Sequence, residues 1–459
     1  MCPIQRGSKP LYNERRDFGM STEYERIAAK ARENKTLRFT SLAHYITKQK
    51  LWEKLCQIPK SSSYGVDEMD VKEAKETFSQ WHQDSIDSIH NKGYEAPSVR
   101  RVYIPKPGKA QRRPLGVPTI KDRAVQKVVS EILSQIYEQD FLPSSFGGRP
   151  GKSAHMALSK FHQNAVKGKV NWVYEADLKD FFGSLNHGWV MRFVEHRVGD
   201  PRILNLIRRW LKAGVMEEGE FKETSSGVPQ GGPISVLLSN IYLHYVLDLW
   251  VEKVVKPRCK GEVYTIRYLD DFVLGFQHYE DALLFQKNLP KRLGRFDLSL
   301  EPSKTQLIAF GRYARERNNS KGKRKVEVCE FLGFTIYCTT SPTGLFKVSF
   351  KTQKSRLKRS MLKLKELLRR NRHGTLGYQQ RQINLYLNGH YRYYGMFGNI
   401  PSLYRMFIYT RKYWRKALSS RSQRGRLTWD KYSKIVNLHP IQRPKIYISL
   451  NRIIEMALL

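Results

Sequence analysis

Tyr268-Leu269-Asp270-Asp271 sets two adjacent carboxylates between two apolar, β-rich runs, Val263-Tyr-Thr-Ile-Arg-Tyr before and Phe272-Val-Leu-Gly-Phe after. The pattern predicts a hairpin with both acids at its tip. Flanks that must be buried force the acids to the edge of a core, where charge needs a partner, and a divalent cation is the natural one. A two-acid turn that is merely solvated would read the same way, so the inference leans on a third carboxylate. Val173-Tyr-Glu-Ala-Asp177 predicts a strand that ends in an acid. Adjacent strands of one sheet would bring Asp177, Asp270 and Asp271 together. Three carboxylates side by side cannot all stay ionised without cations, because like charges raise each other's pKa. Two Mg²⁺ ions about 3.5–4 Å apart, or Mn²⁺ in their place, resolve this and clamp the attacking and leaving oxygens of an in-line phosphoryl transfer.

The elements that must position these acids can be read coarsely. Helix is expected from about Thr22, with Leu37, Phe39, Leu42, Tyr45 and Ile46 docking the N-terminal segment, and Ser61-Ser-Ser-Tyr-Gly signals a loop. The chain alternates from Val99 until Pro105-Lys-Pro-Gly-Lys breaks it into a basic turn, and residues 119–139 have helical periodicity. Helices are expected near 187–197, 201–213 and 279–294, and Ile234 to Val255 reads as one long, largely apolar helix. Short strands are expected near 305–310, 331–338 and 345–350, with a charged loop from Arg315 to Lys325.

The net charge is +39, from 81 Lys and Arg against 42 Asp and Glu in 459 residues. Such a chain favours a polyanionic partner, and nucleic acid bound through its phosphates is the economical one. No apolar run reads as a bilayer span and no signal peptide is expected, so a membrane partner is disfavoured. The five cysteines form no Cys-x-x-Cys pair, which disfavours structural zinc and a disulfide framework and suits a reducing cytoplasm. Composition shifts after Phe350: from Lys351 to Arg426 twenty Lys or Arg face one acid, Glu366, with tyrosines interleaved and a leucine stripe at Leu357, Leu364, Leu367 and Leu368. That segment predicts a helical bundle with a nucleic-acid-binding surface.

The chain resembles a reverse transcriptase of the group II intron maturase family. The resemblance rests on Arg101-Val-Tyr-Ile-Pro-Lys-Pro-Gly, Arg113-Pro-Leu-Gly-Val-Pro, Asp122-Arg-Ala-Val-Gln, Ser145-Phe-Gly-Gly-Arg-Pro-Gly-Lys-Ser-Ala-His, Asp177-Leu-Lys-Asp-Phe-Phe, Gly227-Val-Pro-Gln-Gly-Gly-Pro-Ile-Ser, Tyr268-Leu-Asp-Asp, Pro302-Ser-Lys-Thr and Phe331-Leu-Gly-Phe, in that order. It implies an α+β right-hand polymerase: a helical N-terminal extension (1–60), fingers (61–170), an RRM-like α+β palm (171–350), a basic helical thumb (351–440) and a short tail (441–459). It implies that Asp177, Asp270 and Asp271 bind the metals and that Lys304 protonates the leaving pyrophosphate. Lys106 and Arg113 (Arg112 competing) would grip the incoming triphosphate, and Arg149 would contact template or nucleotide. Phe182 would be the steric gate against a ribose 2′-OH. Gln230 and Gly231 would abut the templating pair, while Tyr268, Leu269, Phe331, Leu332 and Gly333 would support the primer end. Asn388-Gly-His-Tyr-Arg-Tyr-Tyr-Gly and Ser422-Gln-Arg-Gly-Arg-Leu-Thr-Trp429 resemble the helical thumb.

The implied partners are an RNA template, a DNA or RNA primer, dNTPs and intron RNA. The implied reaction is RNA-templated DNA synthesis, coupled to intron splicing and mobility. A free-standing enzyme in DNA repair or antiphage defence is the alternative role, and a non-catalytic RNA chaperone is the rival from another class. Three departures stand out: Leu269 replaces the small residue of the family's hairpin, Pro233 replaces a β-branched one, and Glu68 replaces a glycine. Nothing after Trp429 resembles the family's Cys-paired endonuclease, and the segment after Pro444 is short for a DNA-binding domain, so target cleavage is expected to come from elsewhere.

Overall fold

A computed structural model describes residues 22–105, 112–217, 220–222, 227, 231–314, 316–317, 327–421 and 427–458. The fold is mixed α+β, with three small sheets among helices. The strands in chain order are β1 (Val99–Pro105), β2 (Arg112–Val117), β3 (Trp172–Asp177), β4 (Val215–Glu217), β5 (Glu220–Lys222), β6 (Val263–Tyr268), β7 (Asp271–Phe276), β8 (Gln306–Ala309), β9 (Cys329–Phe331), β10 (Phe334–Thr340) and β11 (Phe346–Thr352). They pair as β2-β1-β4-β5, β6-β7-β3-β8 and β11-β10-β9.

The central sheet, β6-β7-β3-β8, is antiparallel throughout, and its period-2 alternation feeds two cores. Trp172, Tyr174 and Ala176 of β3 and Phe272, Leu274 and Phe276 of β7 enter one core, which also takes the N-terminal helices and the helices Ile120–Tyr137 and Pro201–Lys212. Val173, Val273, Ile266 and Ile308 enter the other, shared with β9–β11 and the Ala154–Lys167 helix. Because a sheet buried on both faces cannot slide in register without exposing apolar side chains, the positions of its strand ends are fixed. A third core, drawn from residues Leu357 to Ile441, sits inside the helices Lys354–Arg370, Leu376–Tyr394, Ile400–Ser419 and Trp429–Leu438.

The apolar run at Ile234–Val255 departs from its sequence reading. The helix Pro233–Arg258 is long and apolar enough to cross a bilayer, but 78% of its apolar window is buried within the protein. It is not a single α-helix either: π turns occupy His244–Asp248 and Val251–Val255. The segment Phe331–Phe334 is also not continuous strand. Leu332 and Gly333 both take positive φ (50° and 80°) and form the tight turn between β9 and β10. The expected loop from Arg315 to Lys325 lies almost entirely outside the described residues, as do residues 1–21 of the N-terminal segment.

Two buried charges lock the N-terminal segment onto the body. Arg197 donates to the carbonyls of Ala31, Asn34 and Leu37, so it caps the C-terminal end of the Thr22–Glu33 helix, and it pairs with Asp140 at 2.9 Å. Asp200, the N-cap of Pro201–Lys212, also accepts from the backbone N–H groups of Leu42 (2.7 Å) and Ala43 (2.9 Å). Burial opposes its charge, but hydrogen bonds from Arg202, Leu42 and Ala43 outweigh this and hold its pKa down at about 2. The unfolded value is about 3.9, so the stabilisation is whole above roughly pH 4 and is lost as pH falls toward 2. Asp200→Asn should therefore lower stability by about 2 kcal/mol at pH 7. Urea midpoints for the two proteins should converge on acidification; a constant gap would disprove the assignment.

Candidate active site

The sheet register brings two of the three acids face to face. Asp177, last residue of β3, is paired directly with Asp271, first residue of β7. Tyr268 pairs with Asp271 across the β6–β7 hairpin, leaving Leu269 and Asp270 as a two-residue loop. Like charges opposite each other on one sheet are unfavourable. Burial, reinforced by the charges of Asp177, Asp270 and Glu175, pushes the Asp271 carboxyl well above the usual carboxylate range, against the pull of Lys304.

Lys304 arrives by backbone pairing. Glu301 N–H donates to the Asp177 carbonyl at 2.8 Å, Lys179 N–H to Ser299 at 2.9 Å, and the 3₁₀ turn Pro302–Lys304 follows. The Lys304 ammonium donates to Asp177 Oδ2, yet its side chain stays 57% exposed. Asp177, Asp271 and Lys304 line a cleft of about 720 Å³ together with Leu332, Gly333 and Arg356. Among the described residues no three His, Cys, Asp or Glu side chains converge as a ready-made metal centre. The all-oxygen donor set nevertheless suits a hard divalent cation. A carboxyl whose proton affinity is raised by neighbouring acids is one that positive charge would relieve.

Phe182 lies five residues past Asp177 on the short helix Phe181–Ser184, entered through Asp180 at φ 42°. Phe181 is buried and Phe182 only half-buried, with the rings 5.4 Å apart edge to face. Gly231, at φ 130°, comes so close to β2 that a Cβ would stand 2.8 Å from the Gly116 carbonyl. The glycine loop and the strand that carries Arg113 are therefore in contact. The backbone of Arg113 pairs with Ile104. The Arg113 side chain, Lys106 and Gln230 lie outside the described residues.

Two of the expected site residues have partners within the protein. The Arg149 guanidinium is 6% exposed, pairs with Glu138 at 2.9 Å and donates to the carbonyls of Leu142 and Ser145. Its donors are spent on fixing the loop that follows the Ile120–Tyr137 helix. Leu269 lies against Gly147 and Gly148, where a Cβ on Gly148 would stand 3.1 Å from Leu269 Cδ2. The bulk expected beside a primer end therefore fills a contact within the protein. The Leu332–Gly333 turn is held by the third core's helices, with Tyr393 Oη donating to the Leu332 carbonyl at 2.9 Å.

Sequence reasoning passed over Glu175. It is buried, accepts from Gln306 and from Glu330 N–H (both 3.0 Å), and ties β3 to β8 and β9 beneath the acids. Its signal was an acid at an inward position of an apolar strand. Asp122 of the Asp-Arg-Ala-Val-Gln motif is likewise buried, accepting from Tyr94, Trp210 and Gln126.

Residues 104–336 match the model of the reverse transcriptase (RNA-dependent DNA polymerase) family. The chain is 34% identical over 234 residues to the group II intron-encoded protein LtrA of Lactococcus lactis, an alignment covering 49% of this chain and 38% of that protein. It is 32% identical over 287 residues to the protein YkfC of Escherichia coli, covering 56% of this chain and 75% of that protein. It is 34% identical over 108 residues to the nuclear intron maturase 2 of Arabidopsis thaliana, covering 23% and 14%. The chain thus spans about two-fifths of the length of LtrA but three-quarters of YkfC.

Proposed function

The chain belongs to the reverse transcriptase (RNA-dependent DNA polymerase) family, and we propose that it copies an RNA template into DNA from dNTPs at the cleft between Asp177 and Asp271. The observation that carries this is the register that sets residue Asp177 directly opposite residue Asp271 on adjacent strands, with Asp270 next in the chain and Lys304 on Asp177. Asp177, Asp270 and Asp271 would hold two Mg²⁺ ions, which when bound supply positive charge to the attacking and leaving oxygens. Lys304 holds a proton at Nζ within reach of a leaving pyrophosphate. Phe182 presents a half-buried ring where a ribose 2′-OH would collide. The Leu332–Gly333 turn offers backbone to the primer end.

The proposed architecture is a right hand, with fingers over 61–170, palm over 171–350 and thumb over 351–440. Support for the thumb comes from its own core and from cations over aromatic rings, Lys365 on Tyr413 and Arg415 on Trp429. Such a surface suits a nucleic-acid backbone, with binding that weakens steeply in salt. For the biological role we favour action on intron RNA as a maturase, because LtrA is named as intron-encoded and the Arabidopsis relative as an intron maturase. A cytoplasmic location is proposed only from the scattered cysteines, which form no Cys-x-x-Cys pair.

Primer extension on an RNA template with dNTPs and Mg²⁺ tests the reading. cDNA is the expected product; no cDNA, with intron splicing still stimulated, would point to a chaperone. Phe182→Ala should relax discrimination against rNTPs ten- to hundredfold, since an apolar wall rejects an added hydroxyl by about 10² at most. The ratio of kcat/KM for dNTP and rNTP reads it, and an unchanged ratio would remove Phe182 from the gate.

A further inference from the structure

Arg267 is an arginine inside an apolar strand, and its side chain is fully buried. Its guanidinium forks onto Asp248, itself 0% exposed, at 2.8 Å (Nε to Oδ1) and 2.6 Å (Nη2 to Oδ2). Its remaining nitrogen, Nη1, donates to Asn240 Oδ1 at 2.8 Å and to the Leu269 carbonyl at 3.2 Å. Asn240 in turn donates to the Gly147 carbonyl at 2.8 Å. The backbone of Arg267 joins the same knot, donating to Ser144 and accepting from Phe146, both at 2.8 Å. Arg267, through its side chain and backbone and with Asn240, thus ties together the hairpin, the long helix and the segment 144–148.

The long helix is shaped for this. At 3.6 residues per turn, eight residues would carry Asp248 about 80° around the axis from Asn240. The wider i→i+5 turns of His244–Asp248 reduce that rotation, so both side chains reach one guanidinium. Arg292 covers the carbonyls of Tyr245 and Val246 within the π turn, at 3.0 and 2.9 Å. A buried ion pair is a poor way to gain stability, since apolar residues of like volume usually do as well. A helix distorted to keep one calls for another reason.

We propose that Arg267, Asp248 and Asn240 form a positioning clamp that fixes the Leu269 carbonyl, and with it the two-residue loop that presents Asp270 and Asp271. The clamp rests on the polymerase reading of that site, but its geometry stands apart from it. The pair acts on the loop backbone and touches no substrate. The loop needs such a hold because Leu269 takes φ 58°, a left-handed value that an L side chain adopts only when its surroundings impose it.

The test is the apolar double variant Arg267→Met/Asp248→Leu. It removes both buried charges together, so no charge is left unpaired: RNA affinity should stay close to wild type, and the thermal midpoint should fall only by the loss of the hydrogen bonds to Asn240 and Leu269. Primer-extension kcat should fall roughly 10- to 100-fold, the cost of a misplaced reacting group. Amide exchange in the peptide 263–276 should accelerate at least tenfold. A double variant with wild-type exchange, or with wild-type kcat, overturns the clamp. If the wild type itself makes no cDNA, the polymerase reading fails, and the exchange rates still decide the clamp. Should the double variant not fold, Arg267→Lys keeps the charge balance but cannot span Asp248, Asn240 and Leu269 at once. It should show the same faster exchange, and its absence would be equally decisive against the clamp.

Discussion

Asp271→Asn should lower single-turnover primer extension by roughly 10³-fold or more, equivalent to about 4 kcal/mol of transition-state stabilisation. The same change should leave the protein as stable as wild type or slightly more so. Asparagine keeps the shape of the side chain and relieves the repulsion with Asp177 opposite, which is worth a few tenths to about 1 kcal/mol. RNA affinity should hold or rise, because a negative charge leaves the cleft. Activity and stability should therefore move in opposite directions, which separates a catalytic carboxylate from a structural one. Asp177→Asn should behave alike in rate but also release Lys304 from its ion pair. Either variant extending primers at the wild-type rate would remove the acids from the chemistry.

Gly147→Ala should be strongly damaging although it touches none of the acids. A Cβ there would stand 2.4 Å from Leu269 N and 2.7 Å from the Tyr268 carbonyl carbon, and both obstacles are backbone of the hairpin tip. Nothing can swing aside, so the tip itself must shift. A displacement near 1 Å can cost about 10²-fold in rate, and overpacking of this kind costs about 1–3 kcal/mol in stability. Leu269→Ala should not rescue it, since the clash is with main chain. Gly148→Ala offers the contrast. Its nearest obstacle is a side-chain methyl, Val236 Cγ1 at 2.3 Å, so Val236→Ala should restore part of the loss. The remainder is the cost of alanine at φ 69°, about 1–2 kcal/mol. Steady-state kinetics and thermal midpoints of the four variants check the argument, and rescue of Gly147→Ala by Leu269→Ala would contradict it.

What was legible in the chain follows the range of the interactions involved. The hairpin around Asp270 and Asp271 could be read because alternation, β-branched flanks and a two-residue turn are local signals. The helix Tyr279–Gly294 was bounded correctly for the same reason. Phe331–Phe334 reads as strand because Phe-Leu-Gly-Phe is largely apolar, and only the backbone shows that Leu332 and Gly333 turn left-handed. The long helix was recognised, but not its burial or its π turns, which answer to groups far away in sequence.

The sequence by itself determined the chemistry on offer: three carboxylates, a lysine and an excess of cations, carried on elements of which the helices and the hairpin could be named. Residue type sets charge and donor set, and short-range periodicity sets local conformation, so neither needs the rest of the molecule. Only the tertiary structure decided which of these residues meet. The register of β3 against β7 set Asp177 opposite Asp271, and the 299–301 segment delivered Lys304. It also paired Arg149 with Glu138, and it brought Arg267 to Asp248 and Asn240 across the hairpin and the long helix. A buried charge must find a partner wherever the packing leaves one, and that partner is chosen by distance in space, which the order of residues along a chain does not record.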